Sequence, residues 1–258
     1  MTDRAAKAAE FLWAAHQARA DYRNLPPDLQ PADAAEAYRA QDAFQALASA
    51  SRGPVAGMKI ATTTRVMQAL MGIDHPCGGG IFANTIHASP ARLRCAEFVN
   101  LRIECEIAVR LGADLPAMSS PYTAANVRAA VAELMPAFEL IEDRNAVYRE
   151  TNALSMIADN CWNGGIVIGA PTPMRADLDI DALQGQLAIN GNPVSEGRAD
   201  RPLEALAWLA NLAIARGKPI RAGMIVITGS VVATVSVAPG DVAVFAIDGL
   251  GEARLELS

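Results

Sequence analysis

The sequence has little of what most often marks a site. Its 258 residues hold three histidines, three lysines and four cysteines. His16, His75 and His87 fall in unrelated segments, which argues against a zinc centre built on imidazole. Cys77, Cys95, Cys105 and Cys161 lie far apart with no C-x-x-C pair, so neither a disulfide frame nor a zinc ribbon is expected. They read as free thiols in a reducing compartment. There is no run of Lys or Arg and the net charge is −6, which excludes a nucleic-acid partner, since phosphate neutralisation needs clustered cations. No G-x-x-x-x-G-K-[ST] or G-x-G-x-x-G frame occurs, so no phosphate loop is expected. The longest apolar stretch, MIVITGSVVATVSVAPG, is interrupted by Thr, Gly, Ser and Pro and is too short to span a bilayer as a helix. The N-terminal residues carry charges throughout, with no apolar signal core. These absences together lead to the expectation of a soluble cytoplasmic protein.

Apolar residues are plentiful. They make up 52% of the chain against 19% charged, enough to bury a sizeable core. Residues 3 to 22 are Ala-rich and predict a helix. After LPPDLQP, Pro31 opens a second helix, with Ala34, Ala37, Tyr38, Ala40, Phe44 and Leu47 as its buried stripe. Residues 1–52 therefore read as a helical arm or cap, and 53–258 as a β-rich domain that can be continuous with it. VAGMKIA is a short strand, followed by a threonine-capped helix that Gly72 ends. Gly78, Gly79 and Gly80 predict a loop or a close backbone approach. NLRIECEIAVRLG alternates as a strand, SSPYTAANVRAAVAEL reads as a helix ending before Pro136, and PAFELIEDR resumes as a strand. The last third is mostly strands, with an Asn190-Gly191 hairpin and one amphipathic helix from Leu203 to Gly217. Without crossover helices, these strands argue for a curled, largely antiparallel α+β system rather than a doubly wound sheet.

The candidate chemistry centres on Glu104 and Glu106. At i and i+2 of a strand they share a face, on the order of 7 Å apart at Cα. By spacing alone, Arg102, Glu104, Glu106 and Arg110 form an ordinary solvent face of alternating charge. Alternatively the two carboxylates form a corner for a divalent cation. Glu139 favours the second reading, because it stands alone in MPAFELI, where a buried carboxylate needs a partner. Three carboxylates without His or Cys would select an oxygen-preferring ion such as Mg²⁺ or Mn²⁺. Lys59 is either an edge-strand lysine that snorkels to water or a pocket ammonium that pairs with a substrate carboxylate or moves a proton. Asp159-Asn160 is a helix cap or a substrate contact. Thr228-Gly229-Ser230 is a β-bulge or a hydroxyl and N–H offered to an anion. Cys77 and Cys161 sit beside glycines and read as structural.

GMKIATTTRVMQALMGIDHP, LRIECEIAVRLGADL, PAFELIEDR, ADNCWNGGIVIG and TGSVV…PGDVAVFAIDGLG follow one another here. In that order they resemble the 2-keto-4-pentenoate hydratase family, within the fumarylacetoacetate hydrolase fold group. The resemblance runs from about residue 35 to the end. It implies a curled mixed β-sheet roll with peripheral helices. It also implies Glu104, Glu106 and Glu139 as metal ligands, Lys59 as the catalytic and carboxylate-binding lysine, and Thr228-Gly229 beside a bound oxo acid. Asp159 belongs to the same implied substrate site. The implied activity is a Mg²⁺- or Mn²⁺-dependent lyase reaction on a small 2-oxo acid, with hydration of a 2-hydroxypenta-2,4-dienoate-like substrate first and decarboxylation of a 2-oxo diacid second. C–C hydrolysis uses the same stabilised enolate. The competing class is a non-catalytic 2-oxo acid binding subunit. Where family members often have Pro-Asp-aromatic-Gly, this chain has Pro76-Cys77-Gly78-Gly79, and Trp162 stands where they tend to have small residues. Both departures fall where substrate choice would be made. The Ala-rich helices suggest self-association, and a complex with another enzyme of the same pathway is a further expectation.

Overall fold

The structure, a computed structural model, describes residues 3–258. Helix α1 (Arg4–Gln17) and helix α2 (Ala34–Arg52) begin at Asp3 and Asp33, whose side chains accept the N–H of Ala5 and Glu36. The Asp33 cap starts α2 later than Pro31. Ala5, Ala8, Ala9 and Leu12 of α1 pack on Ala40, Phe44 and Ala48 of α2. Ala48 completes this stripe, and Leu47, expected in it, is exposed. The same cluster takes in Phe82 and Ala158, so the helical pair shares apolar packing with the rest of the chain.

Strand β1 (Val55–Ala61) and helix α3 (Arg65–Met71) follow, with Thr64 as N-cap and Gly72 in the left-handed region as C-cap. β2 (Cys77–Phe82) corrects the expected glycine loop: Gly78, Gly79 and Gly80 are buried in an edge strand paired antiparallel with β1. The glycines serve packing density. A Cβ at Gly78 would lie 2.6 Å from Leu212 Cδ2, and one at Gly79 would lie 2.6 Å from the carbonyl oxygen of Asn160. β3 (Ile86–Ala88), β4 (Ala91–Leu93) and β5 (Leu101–Leu111) come next.

The second correction is the segment before Pro136. Only α4 (Ala124–Val127) and a 3₁₀ turn are helical, and β6 runs over Val131–Glu142. Pairing with β5 along its whole length, from Leu111↔Val131 to Leu101↔Glu142, overrides the local helix preference of AAVAEL. Pro136 is tolerated because its missing N–H faces the side where β7 (Asn163–Ile168) has just ended. The last β7 pair is Ala137↔Ile168, and the Pro136 carbonyl already accepts from Gly169 N. Helix α5 (Ala153–Ala158) precedes β7.

Beyond β8 (Thr172–Pro173), strands β9 (Gln184–Ile189) and β10 (Asn192–Arg198) form the Asn190-Gly191 hairpin, both turn residues having positive φ. Helix α6 (Pro202–Ala215) leads to β11 (Ile225–Ser230), β12 (Val235–Ser236), β13 (Val242–Ile247) and β14 (Gly251–Leu257). One sheet has the order β2-β1-β11-β5-β6-β7-β3, with β12 on β5 and β8 on β6; the other has β10-β9-β13-β14-β4. Pairing is mixed: β1–β11, β3–β7 and β4–β14 are parallel and the other pairs antiparallel. The main core fills the space between the sheets, where Phe138 and Phe245 meet at 6.2 Å.

Candidate metal centre and substrate pocket

β5 divides its side chains by period two. Leu101, Ile103, Cys105, Ile107, Val109 and Leu111 enter the main core, which leaves Glu104 and Glu106 on the other face. Register supplies the third carboxylate. Glu139 on β6 stands directly across the ladder from Glu104. The three groups each offer an oxygen, and these oxygens lie within 4.8 Å of one another.

Glu106 and Glu139 are fully buried. Glu106 Oε2 accepts from Gly229 N at 2.7 Å, and Glu139 Oε1 accepts from Asn163 Nδ2 at 2.8 Å. Lys59 Nζ also meets Glu139 Oε1 at 3.0 Å. Glu104 accepts from the Thr234 hydroxyl. Glu106 Oε1 and Glu139 Oε2 have no donor at all. Two buried carboxylate oxygens without a partner are costly, and here they belong to the converging cluster. Three carboxylates against one ammonium leave two negative charges, which a divalent cation would cancel. The all-oxygen set suits a hard ion. Burial, then the neighbouring carboxylates, pushes the Glu106 carboxyl well above its ordinary range. Burial pushes Glu139 up to about 7 despite the Lys59 ammonium. Burial alone would lower Lys59, but Glu139 and the other two carboxylates outweigh it and hold it protonated.

Lys59 reaches Glu139 across two intervening strands. β11 and β5 lie between β1 and β6, so a flat sheet would separate their axes by about 14 Å. At the crossing point, the β11–β5 register slips between Ile227 and Ser230, and Gly229 has φ +112°. This glycine-only bulge turns its N–H toward Glu106.

A cavity of about 410 Å³ opens from Lys59 and Glu104. Thr62, Thr63, Thr64, Ser230 and Thr234 line its polar part; Met67, Met71, Ile141, Met156, Trp162 and the Tyr148 ring line most of the rest. Among the described residues of the lining, Lys59 is the only cation.

A family model described as fumarylacetoacetate (FAA) hydrolase C-terminal matches residues 51–258. The chain belongs to the fumarylacetoacetate hydrolase family. It is 31% identical over 245 residues to a 2-keto-4-pentenoate hydratase of Burkholderia vietnamiensis, covering 92% of each chain. It is 31% identical to a 2-hydroxyhexa-2,4-dienoate hydratase of Comamonas testosteroni, covering 86% of each. Among solved structures, the 4-oxalocrotonate decarboxylase of Pseudomonas putida G7, complexed with magnesium and adipate, superposes with a TM-score of 0.91. That match is 26% identical and covers 100% of this chain and 98% of the other. The two mixed sheets with outer helices are thus the α+β architecture of the fumarylacetoacetate hydrolase family.

Within this family fold, the expected site residues divide. Glu104, Glu106, Glu139, Lys59 and Gly229 come together. The Thr228 hydroxyl is already donated to the Ile107 carbonyl at 2.9 Å, and Thr228 borders a neighbouring cavity. Asp159 does not join them. It is buried away from the cavity, with Oδ1 on His16 Nε2 at 2.6 Å and Oδ2 on Arg144 Nη2. His16 and Arg144 outweigh its burial and hold the carboxyl below its usual range. Asn163 and Thr234 touch the carboxylates but were not foreseen, since neither stands in a pattern that names its neighbour. Cys77 and Cys161 are both buried, and burial raises both thiols.

Cys161 and Trp162 belong to an unusual turn. Asn160, Cys161 and Trp162 have φ of 54°, 51° and 59° in succession. Left-handed backbone costs L residues roughly 1–2 kcal/mol each, so surrounding contacts must hold this turn.

Proposed function

We propose that this protein is a magnesium-dependent hydratase that converts a 2-hydroxypenta-2,4-dienoate-like acid into a 4-hydroxy-2-oxo acid. The observation that carries the reading is a carboxylate triad facing one ammonium at the polar end of an otherwise apolar pocket. A 2-oxo diacid would bring a second carboxylate to a wall of methionine, isoleucine and tryptophan with no cation to meet it. A mono-acid with a short hydrocarbon tail fits that wall. The named hydratases among the relatives agree with this preference.

Glu104, Glu106 and Glu139 would hold the Mg²⁺. When bound, the cation supplies Lewis-acid stabilisation of the negative charge that builds on the 2-oxygen. The chain's own groups do the rest. Lys59 Nζ, held protonated by its carboxylate neighbours, offsets the substrate carboxylate and acts as the proton donor to carbon. The enol O–H proton is lost while a proton is gained at carbon 5. The hydroxyl of a water then joins carbon 4 and its proton joins carbon 3, so the sum is substrate plus water. Thr62, Thr63 and Ser230 supply hydroxyls for that water. The apolar wall keeps the tail dry.

The experiment follows the dienoate absorbance with and without Mg²⁺ and identifies the product by NMR. Magnesium-dependent formation of the 4-hydroxy-2-oxo acid is expected. Faster CO₂ release from the corresponding diacid would make the protein a decarboxylase. No turnover of either, with no Mg²⁺-dependent proton exchange at carbon 3 of a simple 2-oxo acid, would make it a binding subunit.

A further inference from the structure

The left-handed turn at residues 160–162 forms part of the pocket wall, and its anchor lies outside the pocket. Cys161 and Trp162 line the cavity, whereas Asn160 does not. The Asn160 amide instead meets β2. Its Nδ2 donates to Gly80 O at 2.8 Å, and its Oδ1 accepts from Gly80 N at 2.7 Å. The side chain thus pairs with the outer edge of β2 as another strand would. Gln45 Nε2 donates to the same Oδ1 at 2.9 Å. The bare Gly79 lets the Asn160 carbonyl approach the strand. Cys161 Sγ reaches Gly78 O at 3.4 Å. Trp162 has no comparable anchor. Its Nε1 is buried without a partner, and the indole is held by packing alone, stacked on Tyr148 at 5.3 Å and edge-on to Tyr22 at 5.1 Å. Its placement therefore depends on the backbone turn beneath it.

We propose that Asn160 is a positioning residue: by locking the left-handed turn onto the glycine strand, it fixes Trp162 as the wall that selects a short apolar substrate tail. The substrate's identity rests on the hydratase reading above; the lock itself does not. It also explains the glycine at position 79, since a Cβ there would lie 2.6 Å from the Asn160 carbonyl oxygen and displace the turn.

The test uses a Trp13→Phe, Trp208→Phe background, which leaves Trp162 as the one remaining indole. Asn160→Ala is expected to red-shift Trp162 emission and raise KM for 2-hydroxypenta-2,4-dienoate by about tenfold. Turnover number should stay within about threefold, and Mg²⁺ affinity by calorimetry within about twofold. Gln45→Met removes one donor to the lock from a position outside the pocket lining, and should move both readouts the same way by less. If Asn160→Ala does not fold, Gln45→Met decides. Folded variants with unchanged emission and KM overturn the proposal. So does a joint fall in turnover and Mg²⁺ affinity with KM unchanged, which would place the effect at Asn163 and Glu139. Should the wild-type chain hydrate no dienoate, the emission shift still reads the lock, so the two failures are distinguishable.

Discussion

The metal-free protein should lose stability as pH rises from 5 to 7.5, and magnesium should reverse that trend. Glu139 has its carboxyl raised from 4.5 to about 7 by burial. Between those values the folded chain keeps a proton that the unfolded chain has released. The folded state then binds more protons, so unfolding becomes easier with rising pH. The gap corresponds to about 3 kcal/mol once both states are deprotonated, and Glu106, raised in the same direction, adds to it. For a chain of this size, about 3 kcal/mol is roughly 6 °C in Tm. His87, held below its ordinary value by burial, works in the opposite direction and reduces the slope. The lowered carboxyls, such as Asp159, matter only in more acidic solution. The assay is thermal unfolding by circular dichroism in EDTA at half-unit pH steps, repeated with excess Mg²⁺. With magnesium, the carboxylates must be deprotonated to bind, so the Tm gain should grow with pH. A flat or rising Tm in EDTA that Glu139→Gln leaves unchanged would refute the reasoning, because the buried triad would then carry no charge strain.

Other substitutions separate the parts of the site and the core. Glu106→Gln should abolish the heat of Mg²⁺ binding in calorimetry while raising the Tm of the metal-free protein; unchanged binding would remove Glu106 from the metal centre. Lys59→Met should lower turnover by about 10²–10⁴ while Mg²⁺ still binds, and full activity would reduce Lys59 to a strand residue. Phe138→Ala, in the main core against Phe245, should cost about 3–5 kcal/mol in urea unfolding, and a loss below about 1 kcal/mol would mean the sheets repack around it.

The sequence showed its strands most clearly where period two was unbroken. Glu104 and Glu106 could be placed side by side from spacing, and Glu139 stood out as a carboxylate in an apolar run. Their convergence was not legible, because it depends on the Glu104↔Glu139 register, which no local pattern states. AAVAEL has helix-forming composition, yet β5 recruits it into a ladder. The three glycines read as a loop by propensity, but tertiary crowding from Leu212, Asn160 and Gln45 places them in a strand. For Asp159 the sequence offered a helix cap or a substrate contact. What it could not show was His16, 143 residues away, occupying one of its oxygens.

The order of strands explains why the site is a property of the whole chain. β11 lies between β1 and β5, so the lysine-bearing strand joins the carboxylate-bearing strands only through residues 225–230. β11 runs parallel to β1 and antiparallel to β5, which brings together segments from the first quarter, the middle and the last fifth of the sequence. β5 and β6 can align Glu104 with Glu139 by their own pairing, since they are sequential and antiparallel. Lys59 and the Gly229 N–H join them only through β11, a pairing of long sequence separation. The charge balance of the centre, three carboxylates against one ammonium, is therefore completed only where β11 joins β1 to β5.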